Sequence, residues 1–221
     1  MKRAFDLSVG VMALVLLSPL FLVVAVAVWL DDGLPVFYRS VRVGRDGRPF
    51  LMWKFRTMGV NADKIGPSST AENDPRITPR GRALRRFKLD ELPQIINVVR
   101  GDMSFVGPRP QVPWAAALYG AREQRLLWVR PGITDYASIV FADEAAVLRG
   151  SPDPDRRYLE TIAPEKIRLG LQYVEHRSLG LDLRILAATL CRLVGIKHSA
   201  ILHVPGPSSE RAEVRAARIE R

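Results

Sequence analysis

Two adjacent carboxylates, Asp90 and Glu91, stand between an upstream basic run (Arg82, Arg85, Arg86, Lys88) and a downstream arginine held between two prolines, Pro108-Arg109-Pro110. Carboxylates ringed by arginines suit phosphate chemistry, since arginine presents a rigid fork of donors to phosphate oxygens and an acid can hold a cation or attack phosphorus. Pro93 is tolerated only in a helix's first turn, so the spacing predicts a helix through Ile95, Ile96, Val98 and Val99 that begins near Asp90, with Asp90 as its N-cap. The positive end of that helix would face an anion beside the pair, and Arg85 and Arg109 would complete a clamp. The plain structural alternative is a cap followed by a solvated first-turn acid. The Pro-Arg-Pro bracket, which folding does not require, and the apolar Phe87, Leu89 and Leu92 around the acids favour function.

The stretch KLDELPQIINVVRGDMSFVGPRP resembles the signature core of the bacterial sugar transferases, small monotopic phosphoglycosyl transferases. Further blocks follow in family order: KRAFDLSVGVMALVLLSPLFLV, FYRSVRVGRDGRPFLMWKFRTM, DPRITPRGRALRR and RPGITDYASI, together covering roughly residues 2–195. The resemblance implies transfer of a sugar-1-phosphate from a nucleotide sugar, expected to be a UDP-sugar, to polyprenyl (undecaprenyl) phosphate, releasing UMP. It also implies a two-step exchange in which Asp90 is the nucleophile and Glu91, with Asp90 sharing the ion, holds Mg²⁺. Arg85 is the better match of its run to a substrate-binding arginine, and Arg130 and Thr134 of the RPGIT block are candidates for the nucleotide sugar. Asp135-Tyr136 stands where many members have glycine and tryptophan, which puts sugar specificity in doubt.

The elements that must position these groups can be read in order. Residues 7–30 form 24 positions without a charge, long enough to span a bilayer, but Ser18-Pro19 breaks the run at its middle. Proline there frees the Val15 carbonyl and the Ser18 hydroxyl can satisfy it in part. Lys2 and Arg3 flank one end and Arg39, Arg42, Arg45 and Arg48 the other, so the positive-inside tendency pulls both flanks to the cytoplasm, as a re-entrant hairpin requires. A kinked single span and a cleaved signal peptide are the competing readings. The resemblance favours the hairpin, with Ser18 and Pro19 as the membrane-helix break.

Beyond Pro35 the pattern turns to two strands around Gly44-Arg45-Asp46-Gly47, a hairpin. Alternation on the second strand places Trp53 and Phe55 on one face and Lys54 and Arg56 on the other, two cations for substrate phosphate or for a solvated edge. Residues 61–75 read as a surface loop, a lid candidate, and Thr78-Pro79 as N-cap and first residue of a helix carrying Arg85. Residues 114–129 look helical, ITDYASIV strand-like, and residues 143–149, 156–177 and 179–194 helical, the last amphipathic and suited to the core or to the membrane surface.

Length allows one domain with a core. The net charge of +10, with 27 arginines among 33 basic residues, favours anionic partners without choosing among them. One cysteine excludes an intrachain disulfide, and three scattered histidines give no support to a histidine metal cluster or a Ser-His-Asp arrangement. The expectation is an α/β membrane-associated chain: a re-entrant membrane helix hairpin over residues 1–32, a compact, mainly helical catalytic domain with a short β-hairpin over 33–204, and a charged tail over 205–221. Its place would be the bacterial inner membrane, monotopic and facing the cytoplasm, with the bilayer as a partner and nucleic acid not one. A direct-displacement glycosyltransferase, in which Asp90 and Glu91 only bind metal, and a non-enzymatic basic binding module are the alternatives.

Overall fold

A computed structural model describes residues 1–66, 69–71, 73–141, 147–196 and 201–203. It is mostly helical with two small sheets. Helices α1 (Lys2–Leu16) and α2 (Ser18–Asp32) meet at a 62° bend. The bend has the expected local cause, because Pro19 has no N–H for the Val15 carbonyl and the Ser18 hydroxyl donates to it instead at 2.8 Å. No single described helix is long and apolar enough to cross a membrane, whereas the bent pair meets that requirement jointly.

Both feet of the bent pair are tied to the rest of the chain. Lys2 Nζ donates to the Val106 carbonyl (3.0 Å), the Tyr173 hydroxyl (3.1 Å) and the Asp182 carboxylate, and the Arg3 guanidinium closes the end of α4 (Gln94–Arg100) through the Val98 and Val99 carbonyls. Buried Asp6 accepts from the Ser104 hydroxyl and the Phe105 N–H. At the other foot Arg56 donates to the Asp32 and Gly33 carbonyls at 2.7 and 2.8 Å, and Asp31 accepts from the Arg80 N–H. Between the feet Val15, Leu16, Leu22, Val23 and Leu30 are exposed. Lys2 and Arg3, read from sequence as flanking charges, are thus partly buried and hydrogen-bonded to the rest of the chain.

Strands β1 (Phe37–Val43) and β2 (Pro49–Phe55) form the expected antiparallel hairpin, from Phe37 opposite Phe55 to Val43 opposite Pro49. Phe55 stacks on Phe37 and meets Phe21, so the apolar face of β2 packs on α2 together with Leu84. Helix α3 (Pro79–Arg86) starts as the sequence indicates, with Thr78 Oγ1 accepting from the Gly81 N–H. A second, parallel pair joins β3 (Ser104–Val106) to β4 (Gly132–Thr134); strands of three residues are too short to show a period. Helices α5 (Ala163–His176) and α6 (Leu179–Leu193) pack on that pair around Val106, Leu169, Tyr173, Ile185 and Ala188.

Several expectations need correction. Helix α4 begins at Gln94 with Pro93 as N-cap, so Asp90 is not its cap; Asp90 lies in a separate 3-10 turn, Leu89–Glu91, entered through left-handed Lys88 (φ 56°). The helix expected over residues 114–129 is two pieces, Pro113–Ala116 and Glu123–Trp128, on either side of Gly120. The strand expected through Ile133 stops at Thr134, because the Asp135 carboxylate accepts the Ser138 N–H (2.7 Å) and starts a helix, Tyr136–Val140. The helix expected over 156–177 is divided by a π turn, Tyr158–Ile162, before α5. The tail over 205–221 and most of the helix expected over 143–149 lie outside the described residues, as do residues 67, 68 and 72 of the loop.

The β3/β4 crossing depends on two glycines. A Cβ on Gly132 would lie 2.1 Å from the Gly107 nitrogen, and one on Gly107 2.4 Å from the Arg130 carbonyl oxygen. Gly132→Ala is therefore expected to cost about 3 kcal/mol or more, because the backbone opposite cannot yield as a side chain would. Chemical denaturation checks this, and an unchanged midpoint would contradict it.

Candidate active site

Glu91 is the anchor of a polar cluster. Lys54 Nζ, from β2, donates to its Oε1 at 2.9 Å, while Arg109 grips both oxygens, with Nη1 3.2 Å from Oε2. Burial pushes the Glu91 carboxyl up, but the Arg109 and Lys54 charges and their hydrogen bonds outweigh it and hold the acid well below the usual carboxylate range. Lys54 is pulled down by burial, against the opposing pull of Glu91.

The backbone explains how these groups converge. Asn97 on α4 accepts the Trp53 N–H (3.0 Å) and donates to the Leu51 carbonyl (2.8 Å), locking α4 beside β2 where Lys54 emerges. The Gly107–Gly132 approach and the bond from the Val43 N–H to the Gln111 carbonyl (2.9 Å) fix the Pro-Arg-Pro segment between β1 and the β3/β4 pair. Prolines on both sides of Arg109 then restrict its backbone.

Asp90 differs from its neighbour. It is 5% exposed, and its Oδ1 is buried without a hydrogen-bond partner. One turn on, the fully buried Gln94 side chain has neither its Oε1 nor its Nε2 satisfied. Unpaired buried polar atoms are costly and uncommon, so two neighbouring residues with three such atoms mark a place organised around something other than folding. Burial pushes the Asp90 carboxyl up and Glu91 adds to this, while Lys54, Arg85 and Lys88 oppose it. Arg85 reaches the same region with its Nε donating to the Thr57 hydroxyl (2.8 Å), its pKa lowered by burial against the pull of Asp90.

Arg42 is a member that sequence reasoning missed as a site residue. Burial and the neighbouring Arg109 pull its pKa down to about 10 against the attraction of Glu91 and two tyrosines. Its side of β1 is the polar one, with Tyr38 and Ser40 at alternate positions, and that alternation was the available signal.

The structure thus brings together Lys54, Arg85, Asp90, Glu91 and Arg109. The other candidates lie elsewhere. Arg56 is buried and caps α2, although its Nη1 has no partner. Arg130 donates to the Gly101 carbonyl (2.7 Å), with Arg45 and Arg3 nearby, and Thr134 meets the Thr189 hydroxyl at 2.7 Å beneath α6. Ser18 and Pro19 form the bend itself.

No group of three or more metal-ligating side chains forms among the described residues. The acid pair still fits a hard cation whose remaining ligands come from a substrate. Asp90 Oδ1 is unpartnered, and Glu91 Oε2 accepts one bond and retains a lone pair.

Residues 1–195 match the family model described as bacterial sugar transferase. Among curated proteins, an exopolysaccharide production protein of Sinorhizobium fredii is 42% identical over 60% of this chain and 66% of its own length. A UDP-glucose:undecaprenyl-phosphate glucose-1-phosphate transferase of Escherichia coli is 38% identical over 86% of this chain and 39% of its own, so the chain spans well under half of that relative. An uncharacterized sugar transferase of Bacillus subtilis is 35% identical over 88% of this chain and 87% of its own.

Proposed function

The chain belongs to the bacterial sugar transferase family, and on that premise we propose that it moves a sugar-1-phosphate from a UDP-sugar to undecaprenyl phosphate, releasing UMP, as the first membrane step of a polysaccharide or glycoconjugate pathway. The observation that carries this reading is the buried, unpartnered Asp90 Oδ1 among Lys54, Arg85 and the Arg109-bound Glu91. A carboxylate so placed has no structural partner to give up before it reacts.

In the proposed course an Asp90 oxygen attacks the phosphorus that bears the sugar. The bond from that phosphorus to the bridging oxygen breaks, and UMP leaves with the electron pair. The phosphate oxygen of undecaprenyl phosphate then attacks the acyl-phosphate, forming the polyprenyl diphosphate sugar and returning Asp90 as a carboxylate. Arg85, Arg109 and Arg42 supply fixed positive charge for the transferred phosphoryl group and the departing diphosphate oxygen. Glu91, kept ionised, holds Lys54 and Arg109 in place. Magnesium, held by Asp90 and Glu91 with substrate oxygens, would add charge neutralisation.

The bent helix pair belongs to the same reading. Both of its feet are held by the catalytic domain and its apolar bend is exposed, which suits a hairpin that enters one leaflet of the inner membrane from the cytoplasm and returns. In inverted and right-side-out vesicles alike, a cysteine placed at Leu16, in a chain with Cys191→Ser, should resist a membrane-impermeant thiol reagent. Labelling from the periplasmic side would contradict the hairpin.

UMP release in detergent with undecaprenyl phosphate and a panel of UDP-sugars tests the activity. The expected result is release that depends on the polyprenyl phosphate, with a lipid-linked sugar as product; no release with any donor would overturn it. Because Asp90 is held up by burial and must be ionised to attack, kcat/KM should rise with pH through an apparent pKa above the ordinary aspartate value of about 3.9. A profile flat down to that value would contradict the assignment.

A further inference from the structure

A second polar pocket lies at the start of α6, away from the acid pair. It is a half-open hollow of about 430 Å³ lined by Tyr136, Gln172, His176, Ser178, Gly180 and Arg184. No carboxylate is among the lining residues, and the nearby Asp182 is occupied by Lys2 and the Tyr173 hydroxyl.

Several donors are available at this pocket. Ser178 Oγ accepts the Leu181 N–H, which leaves the Leu179 and Gly180 N–H groups of the first turn without intrahelical partners. Helix α6 has 15 residues, long enough to present the positive end of its dipole there. Arg184, one turn into the helix, forms no ion pair among the described residues and lies close enough to Tyr136 to influence its hydroxyl. Tyr136 supplies the independent sign of a ligand. It is 7% exposed, its ring is packed into the main core, it lines the pocket, and no hydrogen bond to its hydroxyl forms among the described residues. The ring is buried while the hydroxyl is not among the fully buried unpartnered atoms, so the pocket is the side from which a partner can reach it. The Gln172 amide oxygen takes a bond from Arg168 (3.1 Å).

We propose that this pocket is a binding site for a phosphate group, held by the Tyr136 hydroxyl, the Arg184 guanidinium and the first-turn N–H groups of α6, and separate from the Asp90 site. The same chemistry is offered by free phosphate and by a phospholipid headgroup. Exposed Leu179 and Leu183 beside the pocket would suit the second source, since they could meet the acyl chains of a lipid whose phosphate it holds.

The test uses the full-length protein in neutral detergent, titrated calorimetrically with inorganic phosphate and, separately, with short-chain dihexanoyl phosphatidylglycerol, because the membrane hairpin would hold the whole chain on vesicles whatever this pocket binds. Tyr136→Phe keeps the ring and removes only the donor, and Arg184→Gln changes an exposed side chain, so both variants should fold. A phosphate-binding event weakened about tenfold by either variant, and kept by Arg109→Ala, would support the site and identify free phosphate as sufficient. Phosphate binding that neither variant alters, combined with dihexanoyl phosphatidylglycerol binding that both variants weaken several-fold, would support the site with a headgroup as its ligand. Binding of phosphate and of the short-chain lipid both unchanged in the two variants would overturn the proposal. None of these outcomes depends on the transferase reading, because no turnover is measured.

Discussion

Asp90→Asn is expected to lower turnover by at least about a thousandfold, without lowering stability. The substitution keeps the shape of the side chain in a site where it is 5% exposed, so the turn Leu89–Glu91 should be retained. An amide oxygen cannot form the acyl-phosphate, hence the loss of activity. The stability argument has the opposite sign from most buried acids. Burial holds the Asp90 carboxyl above its unfolded value, so at neutral pH its ionised form is less at ease in the folded protein than in the unfolded one. Asparagine removes that penalty, and the melting midpoint should stay level or rise. Activity close to wild type would remove Asp90 from the nucleophile's role, and a strongly lowered midpoint would show that the carboxylate is structural.

Arg109→Ala should cost both activity and stability. Its guanidinium holds both oxygens of Glu91, which is 14% exposed at the side chain. Removing it leaves that acid to Lys54 alone, at a cost of about 2–3 kcal/mol, less than a fully buried pair would lose because Arg109 itself is 30% exposed. Turnover should fall about a hundred- to thousandfold, since a positive group aimed at the transferring phosphoryl is lost. Arg109→Lys should recover little, because an ammonium cannot reproduce the two-pronged grip. The pH dependence follows from the Glu91 shift. A carboxyl held below its unfolded value of about 4.3 stabilises the fold fully above that pH and loses the contribution as pH falls further. The variant's stability should therefore depend less on pH in the acid range, as denaturation midpoints at several pH values would show.

What the sequence made legible was local. Thr78 and Pro79 start α3, Ser18 closes on Val15 at the bend, and the β1/β2 hairpin forms around Arg45–Gly47, because each depends on residues a few positions apart. The meeting of Glu91 with Arg109 was readable from the Pro-Arg-Pro bracket. What was not legible depends on distant partners. Alternation places Arg56 with Lys54, yet the open carbonyls at the end of α2 draw Arg56 to Asp32 and Gly33. Arg130 is similarly taken by the Gly101 carbonyl, and Thr134 by Thr189. Nothing near Asp90 in sequence shows that the 3-10 turn separates it from α4, and the alternation that puts Arg42 on the polar side of β1 does not show that Arg109 and Glu91 lie beside it. The three-residue strands β3 and β4 find each other through the Gly107–Gly132 contact, whose meaning appears only when both glycines face one another.

The central claim is that Asp90 carries the sugar-phosphate through a covalent intermediate. Its most direct test is the intact mass of the protein after incubation with Mg²⁺ and a panel of UDP-sugars without polyprenyl phosphate, comparing wild type with Asp90→Asn. The account predicts that one donor adds the mass of its sugar-phosphate to the wild type, that the variant gains nothing, and that undecaprenyl phosphate then removes the adduct. An unmodified wild type that still releases UMP once undecaprenyl phosphate is added would contradict it and make direct displacement the mechanism.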